Sequence, residues 1–165
     1  MLPQTLIVAD SGPLIALASC GRLPLLAALF VHIHVPEQVM REAAWVSKPG
    51  ADAIHTFVRD SGTVQPDRDN AITQDLHRHL DAGEVQAIAC AVELDCPVLM
   101  DERKGRQMAL AHGVPILGVL GILLLAKQTG LIEEITTPIR TMRRMGYLLG
   151  DDLIRRVIAA AGETH

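Results

Sequence analysis

Short runs of strand-favouring apolar residues alternate with longer helical patterns along the chain of 165 residues. The four apolar runs are TLIVA (5–9), VHIHV (31–35), PVLM (97–100) and VPIL (114–117). Their alternation with helical segments predicts an α/β protein with a mainly parallel central sheet. The runs at 5–9 and 97–100 are apolar throughout, which is typical of strands in the middle of a sheet that is covered on both faces.

Apolar residues at helical spacing fill most of the segments between these strands. The predicted helices are 13–29 (broken near Gly21), 36–46, 51–60, 72–80, 82–94, 102–112, 119–129 and 150–161. The stretch SGTVQPDRDN (61–70) is rich in turn residues and is predicted to be a loop. No linker or repeat is visible, so we expect one domain over 1–165, with 132–165 as a candidate helical C-terminal extension.

Composition narrows the class of protein. Hydrophobic residues make up 49% of the chain and charged residues 21%, which is typical of a globular domain. Aromatic residues are only 2%, so the core must be aliphatic and the modules that stack bases on aromatic platforms are disfavoured. The net charge of -4 is not that of a general nucleic-acid binder, so any contact with a polyanion has to be local.

Cysteine usage and hydropathy bear on the compartment. Cys20, Cys90 and Cys96 form no CxxC pair, so neither a disulfide framework nor a zinc site is predicted, and a reducing cytoplasm is expected. The most apolar run, VPILGVLGILLLA (114–126), is shorter than the roughly 20 residues that a membrane span needs. No membrane segment is therefore expected.

Four carboxylates stand where the predicted strands end or helices begin. Asp10 and Asp101 each follow a strand directly, Glu42 lies on the apolar face of a helix, and Glu84 lies in the first turn of another. Such positions would converge at one mouth of the sheet, where protons or cations must relieve the repulsion. Hard oxygen ligands suit Mg²⁺ or Mn²⁺, which activate water and stabilise charge on a phosphodiester. The pattern predicts metal-assisted phosphodiester hydrolysis.

Each acid also has a purely structural interpretation. Asp10 and Asp101 could each cap the helix that follows. Asp81 and Glu84 have the spacing of a capping-box-like helix start. Glu42 could lie at the edge of the apolar face and reach water. Taken singly, none of the four carboxylates decides between structure and chemistry.

The segment DERKGR (101–106) places basic side chains next to one of these acids. Arg103, Lys104 and Arg106 could hold an RNA backbone, because phosphate contacts position a nucleic acid without reading its sequence. The alternative is a solvated helix face. Arg106 is the stronger candidate because it lies next to Gly105, where a close approach is possible.

Four segments, in order and at familiar spacing, resemble the PIN-domain family. They are VADSGPLIAL (8–17), VPEQVMREA (35–43), LDAGEVQAIACA (80–91) and LMDERKGRQMALAHGVPILGVLGILLLAKQTGLI (99–132). The resemblance covers nearly the whole chain. It is closest to the VapC-like branch of toxin ribonucleases and to a similar group of unknown function.

This resemblance implies a three-layer α/β/α sandwich and a metal-dependent ribonuclease. The catalytic and metal-binding quartet carried over from the family is Asp10, Glu42, Glu84 and Asp101, holding Mg²⁺ or Mn²⁺. Ser11, beside the first acid, and Glu102 would be auxiliary residues. The family cleaves RNA without a protein nucleophile.

The same resemblance implies partners. VapC-like proteins usually dimerise and are blocked by a small antitoxin, so we expect an RNA substrate, an antitoxin and a homodimer. Relatives often have Asp at the position of Glu84 and Thr at that of Val119. These two departures keep open the alternative of a catalytically weak or inactive regulatory or binding module.

Overall fold

The computed structural model describes residues 6–45 and 47–164. Its strands are β1 (Leu6–Ala9), β2 (His32–Pro36), β3 (Gly62–Gln65), β4 (Val98–Leu99) and β5 (Ile116–Leu117). They form one five-stranded sheet in the order β3-β2-β1-β4-β5, and all four pairings are parallel. The predicted parallel sheet is confirmed, and the apolar run at the start of the chain lies at its centre.

Helices connect the strands and cover the sheet. Within the described residues they are α1 (Ser11–Ser19), α2 (Pro24–Leu29), α3 (Glu37–Ala43), α4 (Ala51–Ser61), α5 (Ala71–Leu76), α6 (Ala82–Leu94), α7 (Arg103–Ala111), α8 (Val119–Gln128), α9 (Thr136–Arg144) and α10 (Asp151–Ala160). Helix α6 packs against β1, β2 and β4, whereas α2 and α4 pack against β2. The predicted three-layer α/β/α sandwich is confirmed.

The central strand sets the position of the site. Ile7, Val8 and Ala9 are fully buried, as expected for a strand covered on both faces. The Asp10 N–H donates to the Leu99 carbonyl at 3.0 Å, just where β1 ends. The Met100 N–H donates in turn to the carbonyl of Leu117 at 2.8 Å. Because β1, β4 and β5 run parallel and end together, the residues that follow them meet at one edge of the sheet.

Two predictions about elements are wrong in part. The predicted loop 61–70 contains the edge strand β3, whose residues are mostly polar and whose Val64 is half exposed. Edge strands are often short and polar, so their sequences resemble loops. Helix α9 lies within the predicted helical extension 132–165 but has no predicted bounds of its own, although its Ile139 and Met142 are buried in the core.

The remaining helices lie close to their predicted bounds. The expected break near Gly21 separates α1 from α2, and Gly21 has the positive φ of 68° that favours glycine. The C-terminal extension contains α9 and α10, and Ile158 of α10 joins the core. No helix of the described residues is long and apolar enough to cross a membrane. That the chain is one domain stays a prediction.

Candidate active site

Asp10 lies at the carboxyl end of the central strand. Its side chain is buried, with 5% of the residue exposed, and Oδ1 has no hydrogen-bond partner among the described residues. It occupies the position before α1 but makes no capping bond, so the capping alternative does not hold. Burial raises the pKa of Asp10 to about 7; the Ser11 N–H lowers it, and the carboxylates of Asp81, Glu42 and Asp101 raise it.

Asp101 lies beside Asp10 at the end of β4, and both of its oxygens have partners. Oδ1 accepts from the N–H of Val119 at 3.0 Å, and Oδ2 accepts from the hydroxyl of Tyr147 at 2.5 Å. Burial raises the pKa of Asp101, while these two bonds and the charge of Arg106 lower it. The side chain is therefore held in one orientation by two distant parts of the chain.

Glu42 reaches from α3 to the beginning of α6. Its Oε1 accepts from the N–H of Gly83 at 3.0 Å and from Nε2 of Gln38 at 3.2 Å. The Ser11 hydroxyl is 3.5 Å from Oε2 of Glu42. Glu42 is half-buried, and it satisfies one of the free N–H groups in the first turn of α6.

Glu84 lies in that same first turn. The N–H of Glu84 donates to Oδ1 of Asp81 at 2.9 Å, so the predicted cap at Asp81 is confirmed. The Glu84 side chain is buried, and its Oε2 has no hydrogen-bond partner within residues 6–45 and 47–164. Burial raises the pKa of Glu84 to about 9, and the carboxylates of Asp81, Asp10 and Glu102 add to the effect.

Three glycines leave room for three of the four carboxylates. The pairs are Gly83 with Glu42, Gly105 with Glu84, and Gly118 with Asp101. A Cβ at Gly118 would lie 2.6 Å from Oδ1 of Asp101, and one at Gly105 would lie 2.8 Å from Oε2 of Glu84. The space beside Gly105 is thus occupied by the Met100 sulfur, 2.5 Å from that Cβ position, and by the Glu84 carboxylate. The close approach expected beside Gly105 is therefore made by side chains of the protein itself.

Glu102 has a structural role. Its Oε2 accepts from the N–H of Gly105 at 2.8 Å, which makes Glu102 the cap of α7. The capping alternative for Asp101 is therefore wrong, because the next residue performs that function. Glu102 itself is exposed and borders the acidic cluster.

The basic residues divide into two groups. Arg106 Nη1 lies 3.9 Å from Oδ1 of Asp101, with 31% of the Arg106 side chain exposed. Arg103 and Lys104 are exposed on the first turn of α7. Arg106 thus lies against the acids, whereas Arg103 and Lys104 form a solvated face beside them.

Sequence reasoning missed the contribution of Tyr147, which follows α9 in the chain. The only signal in the sequence is that it is the sole tyrosine. Burial raises the pKa of the Tyr147 hydroxyl, and the charge of Asp101 raises it further, so the hydroxyl stays a proton donor. The charge of Asp81 was missed as well, because the sequence presented Asp81 only as a helix cap.

Two of the four acids, Asp10 and Asp101, line a cleft of about 470 Å³. Asp10, Asp101, Arg103 and Tyr147 are among its lining residues. A similar apolar hollow of about 500 Å³, bordered by Pro24 and Phe57, contains none of the four acids. The cleft that Asp10 and Asp101 line is therefore the candidate active site.

Comparison with known proteins identifies the family. The model of a PIN-domain family, DUF3368, matches residues 6–163. The chain belongs to the PIN-domain family. This PIN domain has no significant match among curated proteins. It is similar to the solved structure of a PilT N-terminus domain protein from the hyperthermophilic archaeon Sulfolobus solfataricus P2, with 12% identity and a TM-score of 0.44, over 72% of this chain and 90% of that one.

PIN domains are generally nucleases and generally use divalent metal ions. In residues 6–45 and 47–164 of this PIN domain, no three His, Cys, Asp or Glu side chains form a ready-made metal group. Mg²⁺ does not require such a cage, because it keeps several waters and is bound through one or two carboxylates. The partnerless oxygens of Asp10 and Glu84 supply hard, buried donors of this type. The residues present therefore fit a hydrated divalent cation.

Proposed function

We propose that this PIN domain is a Mg²⁺- or Mn²⁺-dependent endoribonuclease. The observation that carries the proposal is the pair of buried, partnerless oxygens, Oδ1 of Asp10 and Oε2 of Glu84, in one acidic cluster. A buried carboxylate without a partner costs free energy when it ionises. A cation bound between the acids would remove that cost. The family membership supports the nuclease part of the proposal.

The quartet Asp10, Glu42, Glu84 and Asp101 would hold the cation. When bound, a divalent metal lowers the pKa of water and offsets charge on a phosphodiester. Bonds from Gly83 and Gln38 fix the carboxylate of Glu42. The Ser11 hydroxyl, close to Glu42, is placed to orient a water at the mouth.

The basic residues would bind the RNA backbone. Arg106 lies next to Asp101 and is partly exposed, so it can reach a phosphate at the cluster. Arg103 lines the cleft itself, and Lys104 extends the positive charge along α7. Such contacts fix the position of a strand without selecting its sequence.

Val119, which stands where relatives often have Thr, keeps the hydrogen bond that orients Asp101. The group that holds Asp101 is the N–H of Val119, which is a backbone group. Any residue except proline at position 119 supplies the same donor. The loss of a side-chain hydroxyl there leaves the orientation of Asp101 unchanged.

One observation favours the second candidate, a catalytically weak or inactive binding module. Across the described parts of the chain, no three of these acids form a ready-made metal group. A module of this kind would bind RNA or a partner protein with no turnover. The cleavage assay below separates it from the nuclease.

We further propose a role as the toxin of a type II toxin-antitoxin pair in the cytoplasm, with a small antitoxin and a homodimeric state. This part rests on the resemblance to VapC-like proteins. Light scattering on the purified chain, alone and with the product of the adjacent gene, tests both partners. A monomeric chain that does not bind the product of the adjacent gene would overturn this proposal.

The first test is cleavage of end-labelled single-stranded RNA and transfer RNA with Mn²⁺ and with chelator. We expect cleavage that requires Mn²⁺ and falls more than about 100-fold in Asp10→Asn, because loss of even an outer partner of a metal ligand costs about 10–100-fold. Asp52→Asn, at an exposed acid of α4, is the matched control and should cleave like the parent. Equal cleavage by the parent and Asp10→Asn would exclude this site.

A further inference from the structure

Tyr147 connects the C-terminal part of the chain to the acidic cluster. It follows α9 and Gly146, whose φ of 94° turns the backbone back towards the site. The N–H of Tyr147 donates to the carbonyl of Met142 at 3.0 Å, and the Met142 side chain is fully buried. The backbone that carries the phenol is therefore fixed by core packing.

The phenol of Tyr147 packs against Gly12, which has no side chain to fill that space. The ring is one wall of the cleft that also contains Asp10. A Cβ at Gly12 would lie 3.2 Å from the Tyr147 hydroxyl, so a larger residue at this position would crowd the phenol. Gly12 is the second residue of α1, two positions after Asp10, and its small size admits the hydroxyl.

The hydroxyl acts on one carboxylate. It donates to Oδ2 of Asp101 at 2.5 Å, while the N–H of Val119 donates to Oδ1 at 3.0 Å. The two bonds hold the carboxylate from two sides and fix its plane. Each oxygen of an ionised carboxylate accepts about two bonds, so Asp101 keeps acceptor capacity for a ligand.

We propose that Tyr147 is a positioning residue that orients Asp101 for cation binding. This inference rests on the proposed function, because it takes Asp101 as a ligand of the ion. Groups that hydrogen-bond to metal ligands orient them, and their removal commonly costs about 10–100-fold in metal affinity. Tyr147 does this from a segment 46 residues away in the chain.

The opposite hypothesis is that Tyr147 blocks cation binding at Asp101. In that case the phenol would occupy the lone pair that the cation needs, and its removal would tighten cation binding. The two hypotheses differ in the sign of one measurement. Only the positioning role predicts weaker binding when the hydroxyl is removed and the ring is kept.

The test is Mn²⁺ binding to the RNA-free protein by calorimetry, for the parent and for Tyr147→Phe. We expect the affinity to fall by about 10–100-fold in Tyr147→Phe. Circular dichroism checks that the variant is folded. An unchanged or tighter affinity in folded Tyr147→Phe would overturn the proposal.

The matched control is Thr136→Val. The Thr136 hydroxyl also donates to a carboxylate at 2.5 Å, that of Glu163, but not to an acid of the cluster. It lies in the same C-terminal part of the chain, at the start of α9. Thr136→Val should therefore keep the Mn²⁺ affinity of the parent. An equal loss in both variants would show that Tyr147 acts only through stability, and would overturn the positioning role.

The sole tyrosine provides a second readout. Protein labelled with ¹³C at the tyrosine Cζ gives a single resonance, that of Tyr147. Mg²⁺ should shift this resonance, and the shift should saturate with the Mg²⁺ affinity that the same calorimetry gives when it is repeated with Mg²⁺. Asp101→Asn should abolish the shift. A resonance that does not move at saturating Mg²⁺ would contradict the proposal.

The outcomes separate this proposal from the proposed function. Tyrosine-dependent Mn²⁺ binding without RNA cleavage would support the positioning role and overturn the ribonuclease. Cleavage with equal Mn²⁺ affinity in the parent and Tyr147→Phe would support the ribonuclease and overturn the positioning role. A parent that binds no cation would overturn both.

Discussion

Two regions of this molecule differ in the hydrogen-bond donors that they supply to a carboxylate. Glu163, near the end of the chain, is surrounded by donors from the protein itself. Asp10 and Glu84, at the mouth of the sheet, are more deeply buried, and each has an oxygen with no partner in the described part of the chain. The contrast shows which acids the fold satisfies and which it leaves for something else.

The Glu163 region is complete without a ligand. Oε1 of Glu163 accepts from Nζ of Lys127 and from the N–H of Ile135, both at 2.8 Å. Oε2 accepts from the N–H of Thr136 at 3.1 Å as well as from its hydroxyl. Although burial raises the pKa of Glu163, these bonds lower it to about 2. This carboxylate joins α8, the start of α9 and the C-terminus.

The acidic cluster, by contrast, lacks hydrogen-bond donors from the described residues for two buried carboxylate oxygens. Burial raises the pKa of Asp10 to about 7 and that of Glu84 to about 9, and neighbouring carboxylates add to both shifts. Carboxylates with only a structural role would be expected to have hydrogen-bond donors around them, as Glu163 has. The difference points to a positively charged ligand at the mouth.

A pH series of thermal unfolding, with chelator present, gives the largest expected effect, because two acids with raised pKa act together. Above about pH 4 the folded protein binds more protons at Asp10 and Glu84 than the unfolded chain does, so stability falls as pH rises towards 7 and then 9. Asp10→Asn should lose the part of this slope below about pH 7. A melting temperature that rises from pH 5 to pH 9 would break the comparison.

Glu163 predicts the reverse dependence in acid. Its pKa is lowered in the folded state, so its contribution is present above about pH 4.5 and is lost as pH falls towards 2. At neutral pH we expect Glu163→Gln to lose about 1–3 kcal/mol of unfolding free energy, because hydrogen bonds to a charged group are weakened. Urea unfolding measures this loss. Its Mn²⁺ affinity should equal that of the parent, and a weaker affinity would mean that the two regions are coupled.

Asp10→Asn should produce the smallest change in stability, and of the opposite sign. Removal of a buried charge without a partner should raise the stability of the ion-free protein by about 1 kcal/mol at pH 8, because the desolvation penalty disappears. Urea unfolding with chelator, beside the exposed control Asp52→Asn, measures the gain. A loss of stability would show that Asp10 already has a compensating partner.

Much of the framework was predictable from local pattern. The strands after which Asp10 and Asp101 stand are apolar runs, and parallel strands of one sheet end at the same edge. The family resemblance carried over the quartet, and the structure brings Asp10 into electrostatic contact with Glu42, Glu84 and Asp101. Their catalytic and metal-binding roles stay a prediction. The polar edge strand β3 was missed because its sequence resembles a loop.

The sequence alone determined the parallel sheet, the PIN-domain membership and the chain positions of the acids, because these depend on periodicity and on local segments. Only the tertiary structure decided which acids are satisfied. Asp101 takes its donors from residues 18 and 46 positions away, and no local pattern predicts such pairings. Hydrogen bonds depend on distance in space, and the packing of α8 and α9 sets that distance for Asp101. Within the described residues, Oδ1 of Asp10 and Oε2 of Glu84 have no such partner, and this makes them the centre of the proposed cation site.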